Sequence, residues 1–324
     1  MPQFNKPKKF TPDLKKITIG FIIFTIGLSK KVLIADTIGL YVDKFYSNLN
    51  FEFSPDLILS WLGSLSYAIQ LYFDFSGYSD MAVGLSLIFG IFIPFNFNSP
   101  YKSLSIIDFW QRWHMSLTNF IGQYFFFPLT LKLTRSYSSQ NILVNNLFSL
   151  IIPLIVTFFV IGIWHGANWT FAIYGLIHAF YMIINHLWRR QNLFEEIENT
   201  ILVKVIYWLI TFTAVVFSMV IFRSENISDA ITIYQGMLGM NGIEILSPNL
   251  KLLIVITFSM FLILGTKSTF EIVNSFFDKE KLKNINYKNL INKKIKFYST
   301  LSGILLFLCL LQLNTPSTFL YYQF

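Results

Sequence analysis

Cysteine, charge and linker sequence are what this 324-residue chain has least of. Cys309 is its one cysteine, so no intrachain disulfide can form and a secreted disulfide scaffold is excluded. In Phe307-Leu308-Cys309-Leu310-Leu311 the thiol reads as a small hydrophobe. Charged residues make up 13% of the chain, about half the share of roughly 25% that soluble domains carry, which argues against a soluble enzyme. No Gly/Ser tract, repeat or low-complexity stretch divides the sequence, and residues 1–324 are read as one membrane domain. Also missing are H-E-x-x-H, a Walker loop, G-x-S-x-G and C-x-x-C, so no metal site and no tightly held cofactor is expected. Residues 1–16 are polar and lysine-bearing, without the apolar core of a cleavable signal peptide.

What the chain has in quantity is apolar surface. Hydrophobic residues reach 54%, phenylalanine alone numbers 36, and the mean hydropathy is +0.55; lipid is the solvent such a chain fits. The net charge of +8 would suit a nucleic-acid binder, but the lysines cluster in short runs between apolar blocks, the pattern of cytoplasmic membrane-flanking loops. No nucleic-acid partner is expected. Apolar blocks recur at 17–35, 57–73, 81–95, 147–163, 169–188, 201–222, 250–265 and 297–313. A backbone in lipid must satisfy its own hydrogen bonds, and strand-length alternation is lacking, so these blocks are predicted to be helices. The expected fold class is all-α: a polytopic integral membrane protein with about eight transmembrane helices. Lys6, Lys8, Lys9, Lys15 and Lys16 precede the first block, and Lys279, Lys281, Lys283, Lys288, Lys293, Lys294 and Lys296 precede the last. Seven blocks separate two clusters that should share the cytoplasmic side, and seven is odd. One further crossing, one false block or a re-entrant segment is required, and 117–133, interrupted by Gly122, Gln123 and Pro128, is the candidate for re-entry.

Ionisable residues inside apolar blocks cost a few kcal/mol or more each, so they carry the most information. Three clusters stand out. In Phe73-Asp74-Phe75-Ser76-Gly77-Tyr78-Ser79-Asp80, a capped loop or helix end is the plainer reading and a polar wall on an interior cavity the functional one. Gly77, Asp80 and Gly84 share a helical face, which would let a close helix contact hold Asp80 off the lipid. In Asp108-Phe109-Trp110-Gln111-Arg112-Trp113-His114, a helix would pair Asp108 with Arg112 at i, i+4 and set His114 in an apolar stripe with Trp110, Leu117 and Ile121. Trp110 and Trp113 would serve equally as interfacial anchors. The third cluster is Trp164-His165-Gly166-Ala167-Asn168-Trp169. Residues 147–184 contain no formal charge and are long enough for two crossings, which puts His165 where one helix turns into the next, with Gly166 and Asn168 suited to the turn. A neutral imidazole there is matched to take a proton from a hydroxyl attacking an acyl group. His178 and His186 lie in one apolar block without acidic partners and read as structural or interfacial.

The runs from Phe73 to Ala82, Pro94-Phe95-Asn96-Phe97 with Ser99-Pro100-Tyr101, Asp108 to His114, Trp164-His165-Gly166 and the terminal Phe319 to Phe324 together resemble the membrane-bound O-acyltransferase (MBOAT) family, and within it the bacterial alginate O-acetyltransferase branch. Order and spacing agree from about Gly20 onward. The resemblance implies that His165 stands in the position of the catalytic histidine and His114 in that of a second important residue of the same tunnel. It implies transfer of acyl groups, acetyl above all, from a cytoplasmic thioester donor (acetyl-CoA or an acyl carrier protein) to hydroxyls of a cell-surface polysaccharide. An extracytoplasmic acetyltransferase partner protein and a bacterial inner-membrane location, among membrane lipids, are implied with it. Candidate substrate-binding residues are Asp74, Asp80, Asp108, Arg112, Trp113, Trp164 and Asn168.

Two departures from the branch matter. Gly122-Gln123-Tyr124 replaces an Arg-Asp pair before a tyrosine, which bears on donor or partner specificity more than on chemistry. Met1-Pro2-Gln3-Phe4 looks like the middle of a family member, so an N-terminally truncated product or one half of a split gene is expected. The rival readings are D-alanine transfer to teichoic acid, a secondary transporter using Asp74, Asp80 and the histidines as ion-pathway groups, and an inactive remnant acting as a scaffold. A transporter often shows matching interrupted helices in two halves, and this sequence does not.

Overall fold

The structure is a computed structural model that describes residues 3, 13–49, 53–137, 139–190, 200–243, 250–277, 285–313 and 320. Among the described residues there is no strand. Helix α1 (Leu14–Ser29) passes through a π-helical stretch, Lys30–Ala35, into α2 (Asp36–Ser47), and α3 spans Leu57–Ile88. Two short helices, α4 (Ile106–Arg112) and α5 (Met115–Ile121), follow; α5 runs on through a π-helical turn at Gly122–Phe126 into α6 (Phe127–Ser136). Next, α7 (Ile142–Asn146) continues through Leu147–Ile151 into α8 (Ile152–Trp164), and α9 (Trp169–Arg189) and α10 (Ile201–Arg223) are long. The remainder are α11 (Ile227–Met237), α12 (Leu250–Gly265), α13 (Thr269–Phe277) and α14 (Ile285–Gln312).

Six helical stretches among the described residues are long and apolar enough to cross a bilayer: Leu14–Ser47, Ile142–Trp164, Trp169–Arg189, Ile201–Arg223, Leu250–Phe277 and Asn292–Gln312. The protein is a multi-pass helical membrane protein. The difference from eight falls on blocks 57–73 and 81–95: residues 57–88 form one 32-residue helix, α3, which is not among these six, and 91–95 are not helical. Residues 73–80 therefore lie within a helix and form neither a loop nor a helix end. Five of the six stretches lie between the two lysine clusters, again an odd number; Lys6, Lys8, Lys9, Lys279, Lys281 and Lys283 lie outside the described residues. The segment 117–133 is likewise continuous helix, its expected break at Gly122 being a π-helical turn.

The chain divides into two compact units, one comprising Met1–Thr37, Gln70–Asn98 and Gly265–Gln323 and the other mainly Ile38–Ile69 and Ser99–Leu264. In the first, α1 and α3 meet backbone to backbone through two glycine pairs. A Cβ on Gly27 would lie 2.5 Å from the Gly77 carbonyl oxygen, and one on Gly84 2.6 Å from that of Gly20. Only glycine permits such an approach, which is how small residues join membrane helices. Ile19, Ile23, Val83, Leu87, Val273 and Phe276 form the apolar core beside them. In the second unit the α8–α9 hairpin closes in the same manner, Gly162 against the Phe171 carbonyl and Gly175 against that of Phe158.

Candidate active site

His165 caps the end of α8, its backbone N–H donating to the Gly162 carbonyl at 3.1 Å. Gly166 follows at φ +152°, a backbone state that side chains rarely adopt. Asn168 then caps α9: its Oδ1 accepts from the Thr170 N–H (3.2 Å) while its Nδ2 donates to the Glu225 carbonyl (2.9 Å). The turn read from Gly166 and Asn168 is thus present, and the Asn168 side chain is committed to holding it. Trp164 is 50% and Trp169 73% exposed; indoles displayed at two helix ends mark the headgroup level. The His165 imidazole is half-buried, ringed by Trp164 (centroids 4.8 Å apart), Phe222 (4.9 Å) and Tyr174 (6.2 Å).

His114 reaches the same place from another direction. Ser105 caps α4 by accepting from the Asp108 N–H (3.1 Å), and the helix ends at Arg112. His114 has φ +44° and ψ 52°, in the left-handed region, and α5 starts after it. The continuous stripe of Trp110, His114, Leu117 and Ile121 is accordingly corrected: a left-handed residue cannot sit inside a right-handed helix. The strained backbone instead turns the ring toward Trp164, 6.2 Å between centroids. One indole thus contacts both imidazoles. Both histidines lie outside the spanning helices, and burial pushes each imidazole down to about 4, with His114 lowering His165 further. At neutral pH both are uncharged.

Behind this pair lies His178, fully buried, whose Nδ1 accepts from the Trp110 indole N–H at 3.2 Å while its Nε2 has no partner. That bond ties α4, which leads to His114, to α9, which follows His165. Trp110 and Trp113 are 5% and 6% exposed, which rules out the anchoring role read for them at the membrane surface. Trp113 stacks on Tyr101 and Phe109. Asp108 and Arg112 form the expected i, i+4 pair (2.7 Å) and line a cavity between α4, α9 and α10.

Asp74 and Asp80 belong to the other unit, each in a buried ion pair. Asp80 bonds Lys30 (2.6 Å) and Thr269 (2.6 Å), and Lys30 also donates to Thr269. Lys31 lies between Asp36 (2.7 Å) and Asp74 (2.5 Å). Gly77 and Gly84 do hold Asp80 off the lipid as their spacing predicts. The lysines are the residues the sequence reading passed over. Standing inside the block 17–35, they carried the same signal of intramembrane charge as the aspartates.

The family model for MBOAT, the membrane-bound O-acyltransferase family, matches residues 1–223. Among curated proteins, the chain is 39% identical over 245 residues to a peptidoglycan O-acetyltransferase of Helicobacter pylori, covering 76% of this chain and 43% of that protein. It is 38% identical over 227 residues to a protein named probable alginate O-acetylase of Pseudomonas aeruginosa, covering 70% and 40%. A teichoic acid D-alanyltransferase of Bacillus subtilis is 33% identical over 214 residues, covering 65% and 50%. The chain spans less than half the length of the first two of these relatives.

Proposed function

Since the chain belongs to the membrane-bound O-acyltransferase family, we propose that it serves O-acetyl transfer from a cytoplasmic thioester, acetyl-CoA or an acyl carrier protein, to hydroxyls of a cell-surface polysaccharide such as peptidoglycan or an alginate-like polymer. The observation that carries this reading is the pair of neutral imidazoles, His165 and His114, on either side of Trp164 at a helix turn. His165 is the general base: it takes the proton as the acceptor oxygen bonds the acyl carbon. Collapse of the tetrahedral adduct breaks the C–S bond, and the proton leaves with the thiol. His114 lines the same site, and Trp164, Trp113, Asn168, Asp108 and Arg112 shape its approaches. Asp74 and Asp80 are assigned instead to holding helices together, because each is already matched by a buried lysine. The setting is the bacterial inner membrane, and an extracytoplasmic partner protein completes delivery to the polymer.

Replacing His165 by alanine tests the reading. Membrane-inserted protein should be unchanged and polysaccharide ester content should fall about 10²- to 10⁴-fold, the range for loss of general-base catalysis; unchanged ester content rejects it. The D-alanyltransferase likeness gives the test a second arm, since radiolabelled alanine and radiolabelled acetate separate D-alanyl from acetyl transfer.

A further inference from the structure

The cavity between α4, α9 and α10 has a volume of about 920 Å³, toward the upper end of the roughly 300–1,000 Å³ typical of ligand sites. Among the described residues four cations line it, Lys102, Arg112, Arg189 and Lys204, against one carboxylate, that of Asp108. Arg112 is partly neutralised by Asp108, and Arg189 is held in place by the Ser105 hydroxyl at 2.9 Å. Arg189 and Lys204 stand where α9 ends and α10 begins, whereas Arg112, at the far end of α4 from Ser105, is paired with Asp108. From Arg189 back to Tyr181, and from Lys204 forward to Ala214, the walls are mainly aromatic and aliphatic, with Asn185 and Thr211 the polar exceptions, over about 12 and 15 Å of helix. The basic end coincides with the ends of two spanning helices and with Trp188, where the headgroups of a bilayer lie. Ile184, Trp188 and Ile210 are 47, 45 and 63% exposed, so among the described residues this wall is open to the side.

From these features we infer that the cavity holds one anionic phospholipid of the surrounding bilayer, its phosphate among Arg189, Lys204 and Lys102 and one acyl chain along Ile184 and Ile210. A basic pocket between transmembrane helices is the arrangement that captures anionic headgroups. A guanidinium pairs with phosphate oxygens through two parallel N–H bonds. The side opening selects a ligand that arrives within the bilayer over one that arrives from water. The cavity shares Asp108 and Arg112 with the approaches to the proposed acyl-transfer site, but the assignment does not rest on that reading, since its test is lipid retention and not ester formation.

Native mass spectrometry of the full chain, released from nanodiscs containing phosphatidylglycerol and phosphatidylcholine in equal amounts, tests it. One phosphatidylglycerol should remain bound. Arg189→Gln and Lys204→Gln should each reduce its retention about five-fold relative to phosphatidylcholine. Ile210→Trp, which fills the apolar wall and leaves the cations, should also expel it and serves if a charge variant misfolds. Equal retention of both lipids overturns the proposal, as does phosphatidylglycerol retention unchanged in all three variants. Coenzyme A displacing the lipid competitively would assign the cavity to a soluble thioester carrier instead.

Discussion

Two regions of the molecule bury titratable groups, and they do so in opposite ways. Between α1, α3 and α13, Lys30 and Lys31 meet Asp80, Asp74 and Asp36 in ion pairs of 2.5 to 2.7 Å, and the helices are locked by glycine contacts. At the α8–α9 turn, His165 and His114 are instead surrounded by aromatic rings. A charge buried in the first region is already spent on its neighbour. The His165 imidazole in the second is neutral and half-buried, the state that the proposed general-base role requires. Ionisable residues at membrane depth are thus not equally informative, and their partners tell structural from chemical use.

The largest effect expected from this contrast is on stability. Lys31→Met leaves Asp36 and Asp74 without their shared cation, and orphaning a buried charge costs about 3–5 kcal/mol. Unfolding by sodium dodecyl sulfate in mixed micelles should show it, and adding Asp36→Asn and Asp74→Asn to the same chain should recover much of the loss. His165→Ala in the same assay should move stability by less than about 1 kcal/mol, because it removes no charge and no ion-pair partner. A His165 variant as damaging as the Lys31 one would erase the distinction.

The glycine contacts come next. In Gly27→Leu the new side chain would start 2.5 Å from the Gly77 carbonyl and 2.7 Å from the Met81 amide, backbone atoms that cannot swing aside. Overpacking of this kind costs about 1–3 kcal/mol. The equivalent change at Gly239, which has nothing within 4 Å of its Cβ position, pays only for its φ of +76°. Somewhat smaller is the effect of His178→Leu, which leaves the buried Trp110 indole N–H unpaired at about 1–3 kcal/mol. His178→Asn returns an acceptor near Nδ1 and should restore both stability and ester formation. Loss of transfer in both variants would mean that something other than the α4–α9 tie is being measured.

Much of this was legible in the residues. Hydropathy gave the all-helical membrane class, and six of the eight blocks are spanning helices. The turn at His165 could be placed because thirty-eight uncharged residues, 147–184, exceed one crossing and Gly166 and Asn168 mark where it folds back. The α1–α3 contact was half visible in Gly77 and Gly84, whereas Gly20 and Gly27, spaced by the same seven residues, complete it only once the helices are seen antiparallel. What sequence could not supply is pairing across long separations. Asp74 and Asp80 left a capped loop or helix end and a polar cavity wall both open, because their partners Lys30 and Lys31 lie more than 40 residues away. The kink at His114 escaped for a different reason: a left-handed histidine is a local strain imposed by tertiary packing, and no propensity announces it.

The smallest predicted effect concerns pH, and its smallness is the point. Burial lowers both His165 and His114 from about 6.5 to about 4. A lowered value means the neutral base persists as pH falls past 6.5 and is lost only as pH passes through about 4. With both faces of the membrane at the same pH, initial rates of ester formation from a thioester donor should change by less than about two-fold between pH 8 and pH 6. They should then decline toward pH 4. An exposed imidazole would instead lose half its activity near pH 6.5. A midpoint there would show that the cage of Trp164, Phe222 and Tyr174 does not exclude water from His165, and the chemical region would then resemble an ordinary surface histidine more than a prepared base.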